Sequence, residues 1–184
     1  KKRLADEAIY LERVLCNEAG GWQDQIAASY GGMNRIEFNS KGYDVRTVIV
    51  SPERKEMLND NLMMFFTGFT RYSTDIHEKI SLALKDKVKY LREMYSLVSE
   101  AEGILADKNR DIDDFGRLLN HTWNLKKQTS SVISNSVIDE LYSKGIKAGA
   151  LGGKLLGAGG GGFLLFYVQP EKQANVKEAL SELM

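Results

Sequence analysis

The 184 residues carry 25 Lys and Arg against 25 Asp and Glu, a formal net charge of zero, with 43% hydrophobic residues, two prolines and one cysteine. Such a balance lacks the basic footprint that phosphate backbones select, which argues against nucleic acid as a partner, and no apolar run approaches the roughly 20 residues of a membrane-spanning helix. The length suffices for one good core or two small ones, and Cys16, with no second cysteine to pair with, fits a reducing cytoplasm.

In chain order, Leu4, Ala8, Leu11 and Leu15 recur at helical spacing and predict a first helix that Gly20-Gly21 ends. Cys16, inside that apolar pattern, is expected in the core rather than as a nucleophile. A second short helix is predicted from about Trp22 to Tyr30, then two strands, Met33 to Phe38 and Tyr43 to Val50, joined by the turn residues Asn39, Ser40, Lys41 and Gly42. Ser51-Pro52-Glu53 signals a helix start: a capping hydroxyl, a proline where its missing N–H costs nothing, and an acid in the first turn. Leu62 to Thr67 is a continuous apolar run, the pattern of a strand buried on both faces. From Thr70 to Gly145 the pattern is helical throughout, with Leu84, Val88, Leu91, Tyr95, Val98 and Leu105 on one face, Asp111 as a cap, and Gly145 as a C-cap. Lys154 to Leu156 and Phe163 to Val168 read as strands, and a last helix follows Pro170. Strands on either side of a helical block predict an α+β fold, with helices on one face of a small, mostly antiparallel sheet.

Nine of the 17 glycines lie between Gly145 and Gly162. Glycine loses more backbone entropy on folding than any other residue, so the cluster implies positive φ angles or close approach. Gly157-Ala158-Gly159-Gly160-Gly161-Gly162 satisfies G-x-G-x-x-G, but a dinucleotide fingerprint needs a helix after the loop and a strand follows here. The P-loop pattern fails as well, since Leu155 follows Lys154 where Ser or Thr is required. What remains is strand, glycine loop, strand. Either backbone N–H groups there line an anion site or the segment is a tight hairpin; ordinary hairpins need one or two glycines, which favours the ligand reading. Lys154 is either a phosphate ligand or a solvated lysine on an edge strand.

Asp24 falls in the first turn of its predicted helix, where free N–H groups and the macrodipole favour a carboxylate. It is either a capping acid or a group that accepts a proton from a substrate hydroxyl; the flanking Gln23 and Gln25 offer amides of the kind sugar hydroxyls pair with. Thr67 and Arg71 lie where a strand exits into a helix, and Arg71 offers a bidentate phosphate clamp or a surface ion pair. His77 and His121 lack metal-ligand spacing and take structural or surface roles, so no protein metal ligands are expected.

The ordered set Gly21-Trp22-Gln23-Asp24-Gln25, Thr67-Gly68-Phe69-Thr70-Arg71 and Gly152-Gly153-Lys154-Leu155-Leu156-Gly157 through Gly162-Phe163 resembles the GHMP small-molecule kinases, and within them the heptose 7-phosphate kinases. The resemblance implies ATP- and Mg2+-dependent phosphorylation of the anomeric hydroxyl of a heptose 7-phosphate. Asp24 would be the catalytic acid-base residue, Gln23, Gln25, Thr67 and Arg71 would bind substrate, and Gly157, Gly159, Gly160, Gly161, Gly162 and Lys154 would meet phosphates or nucleotide. It further implies that residues 1–50 are the remnant of an N-terminal, ribosomal-S5-like nucleotide-binding lobe and 51–184 the C-terminal domain. The family's Gly/Ser-rich phosphate loop has no counterpart in the sequence, so the chain is expected to be the C-terminal part of a longer kinase, inactive alone. Its expected partners are a sugar phosphate, ATP and the rest of that lobe. The competing reading is a non-catalytic sugar- or nucleotide-binding module of the same fold, or a GHMP kinase for a galactose- or fucose-type sugar.

Overall fold

The computed structural model describes residues 1–68, 87–157 and 159–181. Two compact units divide between Val50 and Ser51. Arg71 and His77 lie outside the described residues.

The first unit opens with α1 (Lys2–Tyr10), whose last turn widens into a π-helical stretch, Leu11–Leu15, closed by Cys16 N–H donating to the Leu11 carbonyl at 2.9 Å. α2 (Gln23–Tyr30) packs on α1, with Ala5 and Ile26 fully buried. The hairpin β1 (Asn34–Asn39) and β2 (Gly42–Thr47) pairs Asn39 with Gly42, so Ser40 and Lys41 alone make the turn. Tyr43 ties it to α1 by donating to Asp6 Oδ1 at 2.7 Å. The first helix forms as its periodicity requires, but Leu4, Leu11, Val14 and Leu15 are each more than half exposed. Cys16 is exposed too, correcting the core placement: the helix ends at Leu15, and the stripe that pointed inward in sequence has nothing over it among the described residues.

In the second unit Ser51 caps α3 (Pro52–Asp60), its hydroxyl accepting from Arg54 N–H at 3.3 Å. The sheet is antiparallel, in the order β3 (Leu62–Phe66), β5 (Phe163–Tyr167), β4 (Gly152–Leu155). Among the described residues between β3 and β4 there are three helices, α4 (Val88–Ala106), α5 (Asp113–Thr129) and α6 (Ser136–Lys147); α7 (Gln173–Ala179) follows β5. Arg54, 5% exposed, donates to the carbonyls of Ile104, Leu105 and Arg110 and so closes the C-terminal end of α4. On α4 Val88, Leu91, Tyr95 and Val98 remain exposed while Ile104 and Leu105 are buried.

Alternation along β5 puts Phe166 and Tyr167 on opposite faces. A Cβ on Gly145 of α6 would stand 2.6 Å from the Phe166 ring, and one on Gly116 of α5 would stand 2.6 Å from the Tyr167 ring. Helices therefore flank both faces of the sheet, where one covered face was expected. Gly145 lies inside α6, which runs on to Lys147; it admits the Phe166 ring instead of capping the helix. The doubly buried strand is β5, in the centre. β3 is an edge, with Met64 60% and Phe66 39% exposed, so the expectation of burial on both faces fails there. Met63, Phe65, Leu155, Leu164, Phe166, Val176 and Leu180 form the core with Trp123, Ile138 and Tyr142.

Candidate active site

The glycine-rich segment connects β4 to β5, and the strand after it excludes a dinucleotide fold. It is held from two sides. Thr67, just past β3, donates its backbone N–H to the Gly162 carbonyl at 2.8 Å; its hydroxyl donates to the same carbonyl at 2.9 Å and accepts from Gly162 N–H at 3.1 Å. Between α5 and α6, the Ile133 carbonyl accepts from Gly160 N–H at 3.1 Å. Asn135 caps α6, accepting from Ile138 N–H at 3.0 Å, and turns its amide to the Gly160 carbonyl at 3.4 Å. Gly159 has φ +119° and a Cβ there would sit 2.9 Å from Ile133 Cα, so both conformation and contact demand glycine. Close approach, the reason inferred for the cluster, here includes approach to the protein's own backbone. The N–H groups of Gly160 and Gly162 are committed inside the molecule and do not line an anion site. Thr67, 4% exposed, spends its hydroxyl on the loop, so any effect on a substrate passes through the loop's position.

Lys154 lies on the edge strand β4, as one of its two readings held, but it is half-buried and not a freely solvated lysine; burial holds its ammonium below the usual lysine range. Lys126 from α5, which sequence reasoning passed over, donates to the Gly157 carbonyl at 3.1 Å. Burial, with the nearby Lys154 charge, pushes it down to about 8. Its only sequence signal was a Lys-Lys pair in the last turn of a helix, which the macrodipole explains equally well.

In the first unit Asp24 sits exposed in the first turn of α2, with Trp22 at the N-cap. Gln25 donates to Glu12 Oε2, and its own Oε1 is buried with no hydrogen-bond partner among the described residues. Gln23 joins Gly20, Gly21, Trp22, Phe38 and Asn39 around a cleft of about 390 Å3, in which the Trp22 and Phe38 rings meet edge-on with centroids 6.4 Å apart. Amides beside an aromatic wall suit a polyhydroxylated ligand; Phe38 gave no signal in the sequence beyond strand propensity. His121 pairs on the surface with Glu93 at 2.9 Å. Among the described residues no three His, Cys, Asp or Glu side chains converge as a metal site, and no helix is long and apolar enough to cross a membrane.

The antiparallel sheet between helices, with its glycine-rich connection between β4 and β5, belongs to a fold that solved kinase structures share. Mevalonate kinase from Methanococcus jannaschii superposes with a TM-score of 0.70 at 24% identity, over 99% of this chain and 52% of that one. Residues 97–184 match the family described as GHMP kinases C terminal. Residues 97–184 carry a GHMP kinase C-terminal domain.

Among curated proteins it is 35% identical over 183 residues to the D-glycero-alpha-D-manno-heptose 7-phosphate kinase of Campylobacter jejuni, covering 96% of this chain and 52% of that protein. It is 29% identical over 190 residues to the bifunctional fucokinase/GDP-fucose pyrophosphorylase of Arabidopsis thaliana, covering 98% of this chain and 18% of that one. The chain thus spans about half the length, or less, of these relatives.

Proposed function

We propose that the protein serves an ATP-dependent sugar-phosphate kinase that phosphorylates the anomeric hydroxyl of a heptose 7-phosphate. The observation that carries this reading is the extent of the 35% identity: 96% of 184 residues leaves about seven outside it, fewer than precede Asp24 or follow Gly162, so both segments lie within the aligned stretch. Asp24 takes the role of base or orienting group for the sugar hydroxyl, whose oxygen bonds to the terminal phosphorus of ATP as the bond to ADP breaks. Gln23, Gln25 and Arg71 bind the sugar phosphate. Thr67 sets the loop that contacts it; Gly157, Gly159 and Gly161 with Lys154 face phosphate, while Gly160 and Gly162, whose N–H groups are held by Ile133 and Thr67, serve by fixing the loop's shape. Residues 1–50 are assigned to the nucleotide-binding lobe and 51–184 to the C-terminal domain. Phosphoryl transfer rests on positioning and charge stabilisation. The described carboxylates form no cage for Mg2+, which enters this reading as the counter-ion of the nucleotide, and no step is routed through it. A fucose-type acceptor is the second reading, supported by the 29% identity to a fucokinase.

The test is an activity screen of the protein, together with the remaining sequence of its gene, against heptose 7-phosphate, fucose and galactose, with ADP release as readout. Preference for the heptose phosphate is expected, and Asp24→Asn should lower turnover by ~10²–10⁴-fold. An unchanged rate removes Asp24 as the base; preference for fucose moves the assignment to the second reading.

A further inference from the structure

Lys126 and Lys127 are adjacent on α5 and meet opposite surroundings. Lys127 is neutralised: Nζ lies 3.2 Å from Asp139 Oδ1 and sits near the Trp123 and Tyr142 rings, 6.0 and 5.9 Å from their centroids. Lys126 turns to the Gly157 carbonyl, and no described carboxylate pairs with it; the charge that acts on it is Lys154, of its own sign. Lys154 arrives from the other side. It shares a sheet face with Gly152, whose missing side chain lets β4 lie against Gly116 and Asn120 of α5. The strand therefore carries Lys154 onto the same helix that bears Lys126. No described carboxylate pairs with Lys154 either, and burial alone depresses its proton affinity.

Two half-buried cations of like charge, without an acid between them, cost free energy that a folded protein ordinarily avoids. The helix C-terminus offsets part of that cost at Lys126, but Lys154 stands on a strand. If Lys126 served only to hold the loop through Gly157, a neutral donor would do as well. We infer that Lys126 and Lys154 together bind a phosphate dianion at the Gly157 end of the glycine loop. Two ammonium groups from two rigid elements match its charge, and their mutual repulsion is relieved when it binds. That the anion belongs to a kinase reaction, as the phosphate of the acceptor or the terminal phosphate of the nucleotide, rests on the proposed function.

The first experiment is titration of the protein with inorganic phosphate, followed by calorimetry and by NMR of the lysine side chains. The Lys126 amine is expected to titrate near 8 without phosphate and higher with it. Phosphate affinity should fall about tenfold or more in Lys126→Gln and Lys154→Gln, and stay unchanged in Lys127→Gln, which removes the same charge one residue away. Glutamine keeps a donor for Gly157, so unchanged affinity in Lys126→Gln overturns the inference, as does absence of binding to the unaltered protein; the NMR arm needs no variant and stands if one misfolds. In the kinase assay, Lys126→Gln should raise KM for the phosphorylated acceptor if its own phosphate is the occupant, or KM for ATP if the nucleotide's is. Neither change overturns the inference while leaving the kinase assignment intact, whereas phosphate binding by a protein that phosphorylates no sugar retains the lysine pair and removes the assignment.

Discussion

Residues 51–184 place Trp123, Leu155, Leu164, Phe166, Val176 and Leu180 at 1% exposure or less, around a sheet with helices on both faces, whereas residues 1–50 bury little beyond Ala5, Ile26, Val48 and Val50 and leave Leu4, Leu11, Val14 and Leu15 more than half exposed. Helices in both stretches carry an apolar stripe in the sequence, Leu4, Ala8, Leu11 and Leu15 in the first and Val137, Ile138, Leu141 and Tyr142 in the second. Periodicity identifies the face a helix would bury, and it is silent on whether that face is covered.

The sharpest way to break this comparison is to remove the same kind of group from each unit. Phe166→Ala deletes a ring that stacks on Tyr142 at 5.5 Å, meets Phe65 at 6.1 Å and fills the space Gly145 leaves. A loss of about 3–5 kcal/mol is expected in urea denaturation; a loss below ~1 kcal/mol would mean that the second unit is no better packed than the first. An intermediate effect is expected from Lys126. Its native proton affinity is lowered to about 8 against ~10.4 in the unfolded chain, so between those pH values the unfolded state holds a proton that the native state has released. The penalty is fully present below pH 8 and is relieved as pH rises through the window. Stability should climb across it by something on the order of 1 kcal/mol, discounted for solvent at the half-buried site, and Lys126→Met should flatten that climb. The smallest effect is expected from Leu11→Ala, within about 0.5 kcal/mol, since the side chain is already 54% exposed. A cost of several kcal/mol there would show that the stripe on α1 is covered in solution.

Features decided within a few residues were legible in the sequence: the Ser51 cap, the β1–β2 hairpin, and the glycine segment as a connection between antiparallel strands. Features decided by what a distant element brings were not. Gly145 has the local signature of a helix terminus and is an interior position cut to fit the Phe166 ring. The apolar run at Leu62–Phe66 resembles a central strand, yet its place at the edge of the sheet follows from β4 and β5, about ninety residues on. Lys126 became visible at the candidate site only when α5 was laid beside β4, because nothing in a Lys-Lys pair says which member has an acid opposite. Asp24 and Gln23 were placed correctly on α2, while the aromatic wall beside Gln23 needed Phe38 folded back by the hairpin.

The Thr67 tether bears on the order in which the molecule assembles. Thr67 and Gly162 are separated by 95 residues, and the bonds between them extend the β3–β5 register by one step, from the pairing of Phe66 with Phe163. Closing so long an interval costs chain entropy before any contact repays it, whereas the helices between can form from local contacts. The glycine loop is therefore a late product of folding: its far end acquires a position only once β3 has found β5, and a pairing slipped by one residue would turn the Thr67 hydroxyl to the opposite face. In a refolding time course, protection of the Thr67 and Gly162 amides from hydrogen exchange would therefore trail the return of helical signal.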